Sequence, residues 1–300
     1  LGRARRMVNS AQRYMEFAKL TFDTAQSLTG LRVVIDCAHG AAYNTAPNTL
    51  HELGAEIVSM GVAPDGLNIN EDCGATAPDA MAQTVREASA QIGIGLDGDA
   101  DRLILSDETG GICNGDHILA ALALDMQANG LLHGPVVGTV MSNLGLELLL
   151  AEKGIAFERA AVGDRYVLER MKTTGSNLGG EPSGHILLPH VTRSGDGLIA
   201  ALQILGVMCR TGKTASELLN QFVPVPQKLV NLPDIDKSVL KEASIIQTVA
   251  AVEAELGNNG RVILRPSGTE PLIRVMVEAL DEPALDKAME KLVTAIESYR

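Results

Sequence analysis

The chain has 300 residues, of which 46% are hydrophobic and 21% charged, a balance typical of a globular protein with two or three domains. Its formal net charge of −12 and its 3% aromatic content argue against nucleic acid as a partner, because they favour neither a basic surface nor a base-stacking platform. No apolar run approaches the roughly 20 residues of a membrane span. We therefore predict a soluble, cytoplasmic protein with no nucleic-acid partner and no membrane partner.

Strand and helix signals alternate through the first three quarters of the chain. An amphipathic helix is predicted over residues 3–20. After it, the predicted elements are a strand at 31–36, a helix at 44–53, a strand at 55–59 and a helix at 78–90. Beyond a predicted turn at 111–114 come a helix at 115–129, a strand at 135–140, a helix at 144–152, a strand at 155–160, and helices at 164–172 and 195–210. Such alternation predicts two consecutive doubly wound α/β domains with parallel sheets, whose strand ends usually carry the ligand site.

The last quarter of the chain has a different pattern. The stretch at 222–226 contains two prolines and breaks the helical periodicity. The elements predicted after it are a strand at 227–232, a helix at 245–256, strands at 261–265 and 272–279, and a helix from 283. They predict a smaller α+β domain with an antiparallel hairpin. The predicted organisation is a connecting helix at 1–24, α/β domains at 25–112 and 113–222, and the α+β domain at 223–300.

Three aspartates alternate with small residues in the segment 96–102, which we call the acidic loop. They are Asp97, Asp99 and Asp101. The small residues between them allow the carboxylates to turn inward onto one hard cation, and only a compensating divalent ion makes three close carboxylates tolerable. The spacing therefore predicts a Mg²⁺ site, with Arg102 beside it available to a phosphate or a carboxylate.

Three other interpretations of the acidic loop compete with a metal site. An acidic surface turn is common, but this loop lies between two apolar runs and is poorly placed to be merely solvated. An EF-hand matches at the aspartates, yet it has Arg102 where glycine is required, and its flanks have the pattern of strands. A phosphatase that uses Asp97 as its nucleophile is also compatible with the loop.

The segment 179–185, which we call the sugar loop, offers polar groups suited to sugar hydroxyls. Glu181, Ser183 and His185 are expected to alternate along an extended loop and to present an acceptor, a hydroxyl and an imidazole on one side. Upstream, Arg165 lies at a predicted helix start, where backbone amides favour anions. A solvated arginine behind an aspartate N-cap explains Arg165 equally well.

The segment 265–274, which we call the phosphate loop, joins the last two predicted strands and combines a turn with two arginines. Gly268 allows successive backbone N–H groups to point into one concavity, beside the hydroxyls of Ser267 and Thr269. Arg265 and Arg274 are expected to approach the same site from the two strands. An ordinary turn is the alternative, but the arginines favour a dianion such as a phosphomonoester.

Taken together and in this order, the acidic loop, the Gly-Glu-Pro-Ser-Gly-His loop and the Arg-Pro-Ser-Gly-Thr-Glu-Pro loop resemble those of the α-D-phosphohexomutase superfamily. The segments 139–145, 162–167 and 271–277 resemble its bacterial glucosamine-phosphate branch. The resemblance implies a Mg²⁺-dependent isomerase that interconverts glucosamine 6-phosphate and glucosamine 1-phosphate through a phosphoserine and a bisphosphate intermediate. Its product would supply UDP-N-acetylglucosamine and peptidoglycan precursors. The alternatives are a branch that acts on mannose or glucose phosphates and a sugar-phosphate-binding module without catalysis.

The resemblance also implies roles for individual residues. The Mg²⁺ ligands would be Asp97, Asp99 and Asp101. The sugar hydroxyls would contact Glu181 and Ser183, while Arg102 and His185 would take part in substrate binding or proton transfer. The phosphate that is not transferred would be held by Arg265, Ser267, Gly268, Thr269 and Arg274.

Three features depart from the superfamily pattern. Ala100 stands where glycine is commonest, and Pro182 fills a position that varies; neither removes a functional group. The Ser-His-Asn-Pro segment that carries the phosphoserine in the superfamily is absent from the 300 residues. We therefore expect the chain to correspond to domains two to four, with the N-terminal domain of the same protein as its partner, and we expect the isolated chain to be inactive.

Overall fold

The computed structural model describes residues 7–23, 25–267 and 272–300. Its helices are α1 (Ser10–Leu20), α2 (Thr45–Glu52), α3 (Asp79–Ala88), α4 (Gly115–Ala128), α5 (Leu144–Glu152), α6 (Asp164–Thr174), α7 (Gly197–Thr211), α8 (Ala215–Leu219), α9 (Ala243–Leu256) and α10 (Glu282–Glu297). Its strands are β1 (Arg32–Asp36), β2 (Glu56–Met60), β3 (Ile92–Leu96), β4 (Leu103–Asp107), β5 (Ile112–Cys113), β6 (Val136–Thr139), β7 (Phe157–Ala160), β8 (Gly179–Gly180), β9 (Ile186–Leu187), β10 (Gln227–Pro233), β11 (Gly260–Pro266) and β12 (Leu272–Ala279). Within these ranges, none of the helices has the length and hydropathy that a membrane crossing demands.

The chain forms two compact units. The first unit comprises the residues through 142 together with 149–222, and the second comprises 143–148 together with 223–300. The first unit contains two mixed sheets with their helices, and the second contains a small antiparallel sheet with its helices. The predicted fold class, two α/β sheets followed by a smaller α+β module, is confirmed.

The first sheet has the strand order β2-β1-β3-β4-β5. Strand β1 pairs in parallel with β2 and β3, whereas the β3–β4 and β4–β5 pairs are antiparallel. The expected parallel sheet is therefore wrong at this edge. The loop between β3 and β4 is far shorter than the crossover of about a dozen residues that a parallel connection needs, so the chain must reverse there. The predicted turn at 111–114 also contains the short strand β5.

The centre of the first sheet is buried on both faces. Residues 33–35 of β1 and the side chains of Ile92 and Ile94 in β3 are fully buried. Helix α3 covers one face with Met81 and Val85, and α7 contacts β3 and β4. Near-continuous apolar strands are what a sheet covered on both faces requires. The core thus fixes the end of β3, where the acidic loop begins, and the end of the neighbouring strand β1.

The second sheet has the strand order β7-β6-β8-β9, with β6 parallel to β7 and β8, and with β8 and β9 forming an antiparallel hairpin. Helices α4 and α7 pack against each other and are buried on most sides. Because α7 also contacts the first sheet, the two sheets share one helix layer and form one compact unit. The short helix α8 was missed, although Thr214 and Glu217 form a capping box at its start.

The second unit is built on the antiparallel sheet β10-β12-β11. Ile273, Val275 and Val277 on β12 are fully buried and share a core with Leu285 and Leu292 of α10. This arrangement confirms the predicted strands, the hairpin and the final helix of the last module.

A side-chain hydrogen bond ties helix α1 to helix α7. The Tyr14 hydroxyl lies 3.0 Å from both carboxylate oxygens of Asp196 and donates to them. Asp196 is the N-cap of α7 and accepts a hydrogen bond of 3.0 Å from the Ile199 amide. Burial raises the pKa of Asp196, and the hydrogen bonds from Ile199 and Tyr14 partly offset that shift. Tyr14 therefore stabilises the charged form of a half-buried carboxylate.

Replacing Tyr14 with phenylalanine should lower the free energy of unfolding by about 1.5–3 kcal/mol, the usual contribution of a hydrogen bond to a charged group. Urea unfolding followed by circular dichroism would measure the loss. Tyr43→Phe is the matched control, because 46% of Tyr43 is exposed and its replacement should change stability by less than about 0.5 kcal/mol. Equal losses in the two variants would contradict the assignment.

Candidate active site

The acidic loop connects β3 to β4 and brings its three aspartates together. One carboxylate oxygen from each of Asp97, Asp99 and Asp101 lies within 4.8 Å of the other two. Oxygens on opposite sides of a Mg²⁺ ion are about 4 Å apart, so the set needs only a small contraction to enclose one. Anionic oxygen donors are also the ligands that a hard cation prefers. The residues therefore fit a divalent metal ion.

The backbone and Arg102 shape the acidic loop. Ala100 has a φ of +63°, in the left-handed region that favours glycine. The Arg102 amide and its Nε both donate to Asp97, at 3.1 and 2.5 Å, and Asp97 is 1% exposed. Arg102 thus compensates the most deeply buried of the three carboxylates while its own side chain stays 38% exposed.

His185 contacts the acidic loop directly. Its Nδ1 lies 3.3 Å from a carboxylate oxygen of Asp101, and its Nε2 is buried without a hydrogen-bond partner in the described parts of the chain. Burial raises the pKa of Asp101, His185 opposes that shift, and the charges of Asp97 and Asp99 add to it. His185 is only 8% exposed, and its contact with Asp101 joins the sugar loop to the acidic loop.

The sugar loop is a tight hairpin turn between β8 and β9. The Gly184 amide donates to the Glu181 carbonyl, and the Glu181 amide donates to the His185 carbonyl, both at 3.0 Å. The expected extended conformation is therefore wrong, because the two flanking strands pair with each other. The Glu181 carboxylate accepts hydrogen bonds from the Gly163 amide at 2.6 Å and from the Ser183 hydroxyl at 3.3 Å.

Backbone contacts join the sugar loop to the acidic loop. Arg102 and His185 form an isolated antiparallel bridge, and the Leu103 amide donates to the Gly184 carbonyl at 2.9 Å. A Cβ atom on Gly184 would lie 2.1 Å from the Leu103 carbonyl oxygen, and one on Gly115 would lie 1.9 Å from a carbonyl oxygen of the same turn. Gly184 therefore permits the close approach of the two loops, and Gly115 permits the close approach of the start of α4 to the sugar loop.

The joined loops line one cleft of about 480 Å³, a volume suitable for a small polar ligand. Its lining residues are Asp97, Asp99, Asp101, Arg102, Gly163, Asp164, Glu181, Ser183 and His185. Arg165 is absent from this lining: its side chain is 82% exposed and lies 3.4 Å from Glu169, one turn along α6. Gly163 and Asp164 also line the cleft, although neither was predicted to belong to the site; the predicted helix start at this segment was the signal that pointed to them.

The phosphate loop belongs to the second unit and is described only in part. Arg265 and Arg274 are directly opposite each other on β11 and β12. Ser267 is 5% exposed, and its carbonyl accepts a hydrogen bond of 2.5 Å from Nζ of Lys237, a cation that the sequence analysis missed. Gly268 and Thr269 lie outside the described residues.

Family comparisons agree with this layout of sheets and loops. Three models of the phosphoglucomutase/phosphomannomutase family match the chain: alpha/beta/alpha domain II at residues 12–111, alpha/beta/alpha domain III at 114–225 and the C-terminal domain at 219–295. The chain therefore belongs to the phosphoglucomutase/phosphomannomutase family.

Individual relatives are similar over nearly the whole chain. The phosphoglucosamine mutase of Caulobacter vibrioides is 52% identical over 296 residues, which cover 98% of this chain and 66% of the relative. A family protein of known structure from Burkholderia thailandensis superposes with a TM-score of 0.79 at 24% identity, over 96% of this chain and 64% of that one. The Aspergillus fumigatus N-acetylphosphoglucosamine mutase was solved in complex with GlcNAc-6P and magnesium. It superposes with a TM-score of 0.75 at 18% identity, over 99% of this chain and 68% of that one. The chain thus spans about two thirds of the length of these relatives.

Proposed function

We propose that this chain is the metal- and sugar-binding part of a phosphoglucosamine mutase, which interconverts glucosamine 6-phosphate and glucosamine 1-phosphate. The observation that carries the proposal is the single cleft lined by both the acidic loop and the sugar loop. The name of the relative at 52% identity supports the hexosamine substrate. A fungal protein of the same fold, solved with a hexosamine phosphate and magnesium, supports the ligand class.

Within the cleft, each group has a chemical task. Asp97, Asp99 and Asp101 would hold Mg²⁺, which when bound would neutralise charge on the oxygens of the phosphoryl group being transferred. Glu181 would accept hydrogen bonds from sugar hydroxyls, and the Ser183 hydroxyl beside it can both donate and accept. These contacts would orient the sugar ring before transfer.

Phosphate recognition is assigned to the second unit and, more weakly, to the start of α6. Paired arginines bind phosphate oxygens through charge-assisted hydrogen bonds, and Arg265 and Arg274 are neighbours across β11 and β12. We include Ser267, Gly268 and Thr269 in the same assignment. Arg165 could reach a substrate only by leaving Glu169, so its role depends on that exchange.

Phosphoryl transfer needs a phosphoryl donor, and the Ser-His-Asn-Pro segment that would carry it is absent from the 300 residues. We propose that a phosphoserine elsewhere in the complete protein gives its phosphoryl group to the free sugar hydroxyl: a bond from phosphorus to the sugar oxygen forms, the bond from phosphorus to the serine oxygen breaks, and the hydroxyl proton passes to the serine oxygen. The resulting bisphosphate reorients and returns its other phosphoryl group to the serine, whose proton passes to the sugar oxygen that is released. The isolated chain should bind the substrate without turnover.

The complete gene product that contains this chain tests the proposal. Phosphorus NMR should show conversion of glucosamine 6-phosphate in preference to glucose or mannose phosphates. A preference for glucose or mannose phosphates would support the other branch of the family. Binding without conversion would support a binding module. Release of inorganic phosphate by the wild-type protein, lost in Asp97→Asn, would support a phosphatase. Turnover by the isolated chain, after activation by a hexose bisphosphate, would refute its dependence on a missing donor.

A further inference from the structure

A fully buried carboxylate lies at the end of β1, close to the acidic loop but outside the cleft. Asp36 is 0% exposed, and its two oxygens accept hydrogen bonds from the backbone amides of Ala38 at 2.9 Å and Gly74 at 2.8 Å. Burial raises the pKa of the neighbouring Cys37 thiol to about 12, and the Asp36 charge adds to that shift, so the thiol stays protonated. Through its two hydrogen bonds, to the amides of Ala38 and Gly74, Asp36 joins two segments that are distant in sequence.

The first of these segments is the turn that follows β1, and it supports the acidic loop from one side. The Ala41 amide donates to the Gly98 carbonyl at 2.8 Å, and a Cβ atom on Gly40 would lie 2.2 Å from that same carbonyl oxygen. Gly98 separates Asp97 from Asp99. The turn is thus in direct backbone contact with the middle of the predicted ligand set.

The turn adopts a backbone conformation that it would not hold unaided. Ala38 and His39 both have a φ of +51°, which side chains other than glycine rarely adopt. The bond from the Ala38 amide to Asp36 and the bond from the Asn70 amide to the Ala38 carbonyl at 3.0 Å hold it there. Loss of the carboxylate would therefore release the turn toward ordinary backbone angles.

The second segment supports the start of the acidic loop. Gly74 has a φ of +65°, and a Cβ atom there would lie 2.2 Å from the Leu96 carbonyl oxygen and 2.4 Å from the Ala38 side chain. Leu96 directly precedes Asp97. The two oxygens of Asp36 thus bind two backbone segments, one packed against Leu96 and the other against Gly98.

We infer that Asp36 is a positioning residue for the metal site, which sets the spacing of Asp97 and Asp99 through the two backbone segments that its carboxylate holds. The inference rests on the proposed Mg²⁺ site and goes beyond it, because Asp36 lies outside the cleft lining. In Asp36→Asn, one of the two backbone amides would face an NH₂ group in place of an oxygen. Residues that orient metal ligands typically change metal affinity by about 10- to 100-fold when they are replaced.

Calorimetric titration of the 300-residue chain with Mg²⁺ tests this inference. Asp36→Asn should weaken Mg²⁺ binding by at least about tenfold. The matched control is Asp107→Asn, because Asp107 is also a buried carboxylate and accepts hydrogen bonds from the amides of Thr109 and Gly111 at 2.9 and 2.8 Å. Asp107 lies at the opposite end of β4, so its replacement should reduce stability without changing Mg²⁺ affinity.

A second readout needs no metal. Amide hydrogen exchange in residues 96–101 of the metal-free chain should accelerate in Asp36→Asn and stay unchanged in Asp107→Asn. If the wild-type chain binds Mg²⁺ and a folded Asp36→Asn chain binds it with the same affinity, the role of Asp36 is overturned and the metal site stands. If the wild-type chain does not bind Mg²⁺, both the metal site and the role of Asp36 are overturned. If Asp36→Asn does not fold, Gly40→Ala, which pushes directly on Gly98, should show the same loss of affinity, and unchanged affinity in that variant would overturn the inference.

Discussion

Replacing Asp99 with asparagine should weaken Mg²⁺ binding by at least roughly 30-fold. Asp99 is the exposed member of the aspartate set, and its side chain makes no hydrogen bond within the described residues, so the change removes charge and leaves the fold intact. Two unit charges 4 Å apart interact by about 1 kcal/mol in bulk water, which gives about 2 kcal/mol for a divalent ion. A difference of that size corresponds to the expected loss. Partial burial of the site would only increase it.

Titration calorimetry at low ionic strength measures this effect without any catalytic assay. Asp79→Asn is the matched control, since Asp79 is an exposed aspartate in the first turn of α3 and its replacement makes the same change in net charge. The control should retain wild-type affinity. Equal affinities in the two variants would mean that the acidic loop does not hold the ion.

Replacing Gly184 with alanine should lower the free energy of unfolding by about 3 kcal/mol or more. The φ of Gly184 is +96°, and strained backbone conformations cost about 1–3 kcal/mol. The added Cβ would also lie 2.1 Å from the carbonyl oxygen of Leu103. Overpacking against a neighbour that cannot move freely typically costs roughly a further 1–3 kcal/mol. Because that neighbour is strand backbone, the sugar loop would have to leave β4.

Gly154→Ala separates the two causes of this loss. Gly154 has a φ of +71°, but a Cβ atom there would meet nothing within 4 Å, so its replacement should cost only about 1 kcal/mol. Urea unfolding would compare the two variants, and calorimetry would show whether Gly184→Ala also weakens binding of glucosamine 6-phosphate. Similar losses of stability in both variants would contradict the close packing of the two loops.

Local sequence was sufficient to predict the acidic loop and most of the elements. Asp97, Asp99 and Asp101 occupy every second position of one short loop between two apolar strands, so their convergence depends only on alternation within that loop. Helix α5 was predicted at its observed bounds, because a run of leucines without glycine or proline in its later turns leaves few alternatives.

Contacts between distant segments could not be predicted in the same way. The Asp36 carboxylate binds the Gly74 amide 38 residues away, and Arg102 bridges to His185 through a pairing that neither local pattern implies. Gly115 and Gly184 were equally ambiguous, because glycine at a turn or at a helix start has an ordinary local explanation. The antiparallel course of β4 was missed for a related reason: alternation of strands and helices indicates the layers but not the direction of each strand.

The most direct test of the metal site is a crystal of this chain soaked with Mn²⁺ and glucosamine 6-phosphate, with diffraction data collected at the manganese absorption edge. We expect an anomalous peak bonded to carboxylate oxygens of Asp97, Asp99 and Asp101, with the sugar in contact with Glu181 and Ser183. A peak at another position, or none at saturating Mn²⁺ in crystals whose cleft is open to solvent, would contradict the proposed metal site.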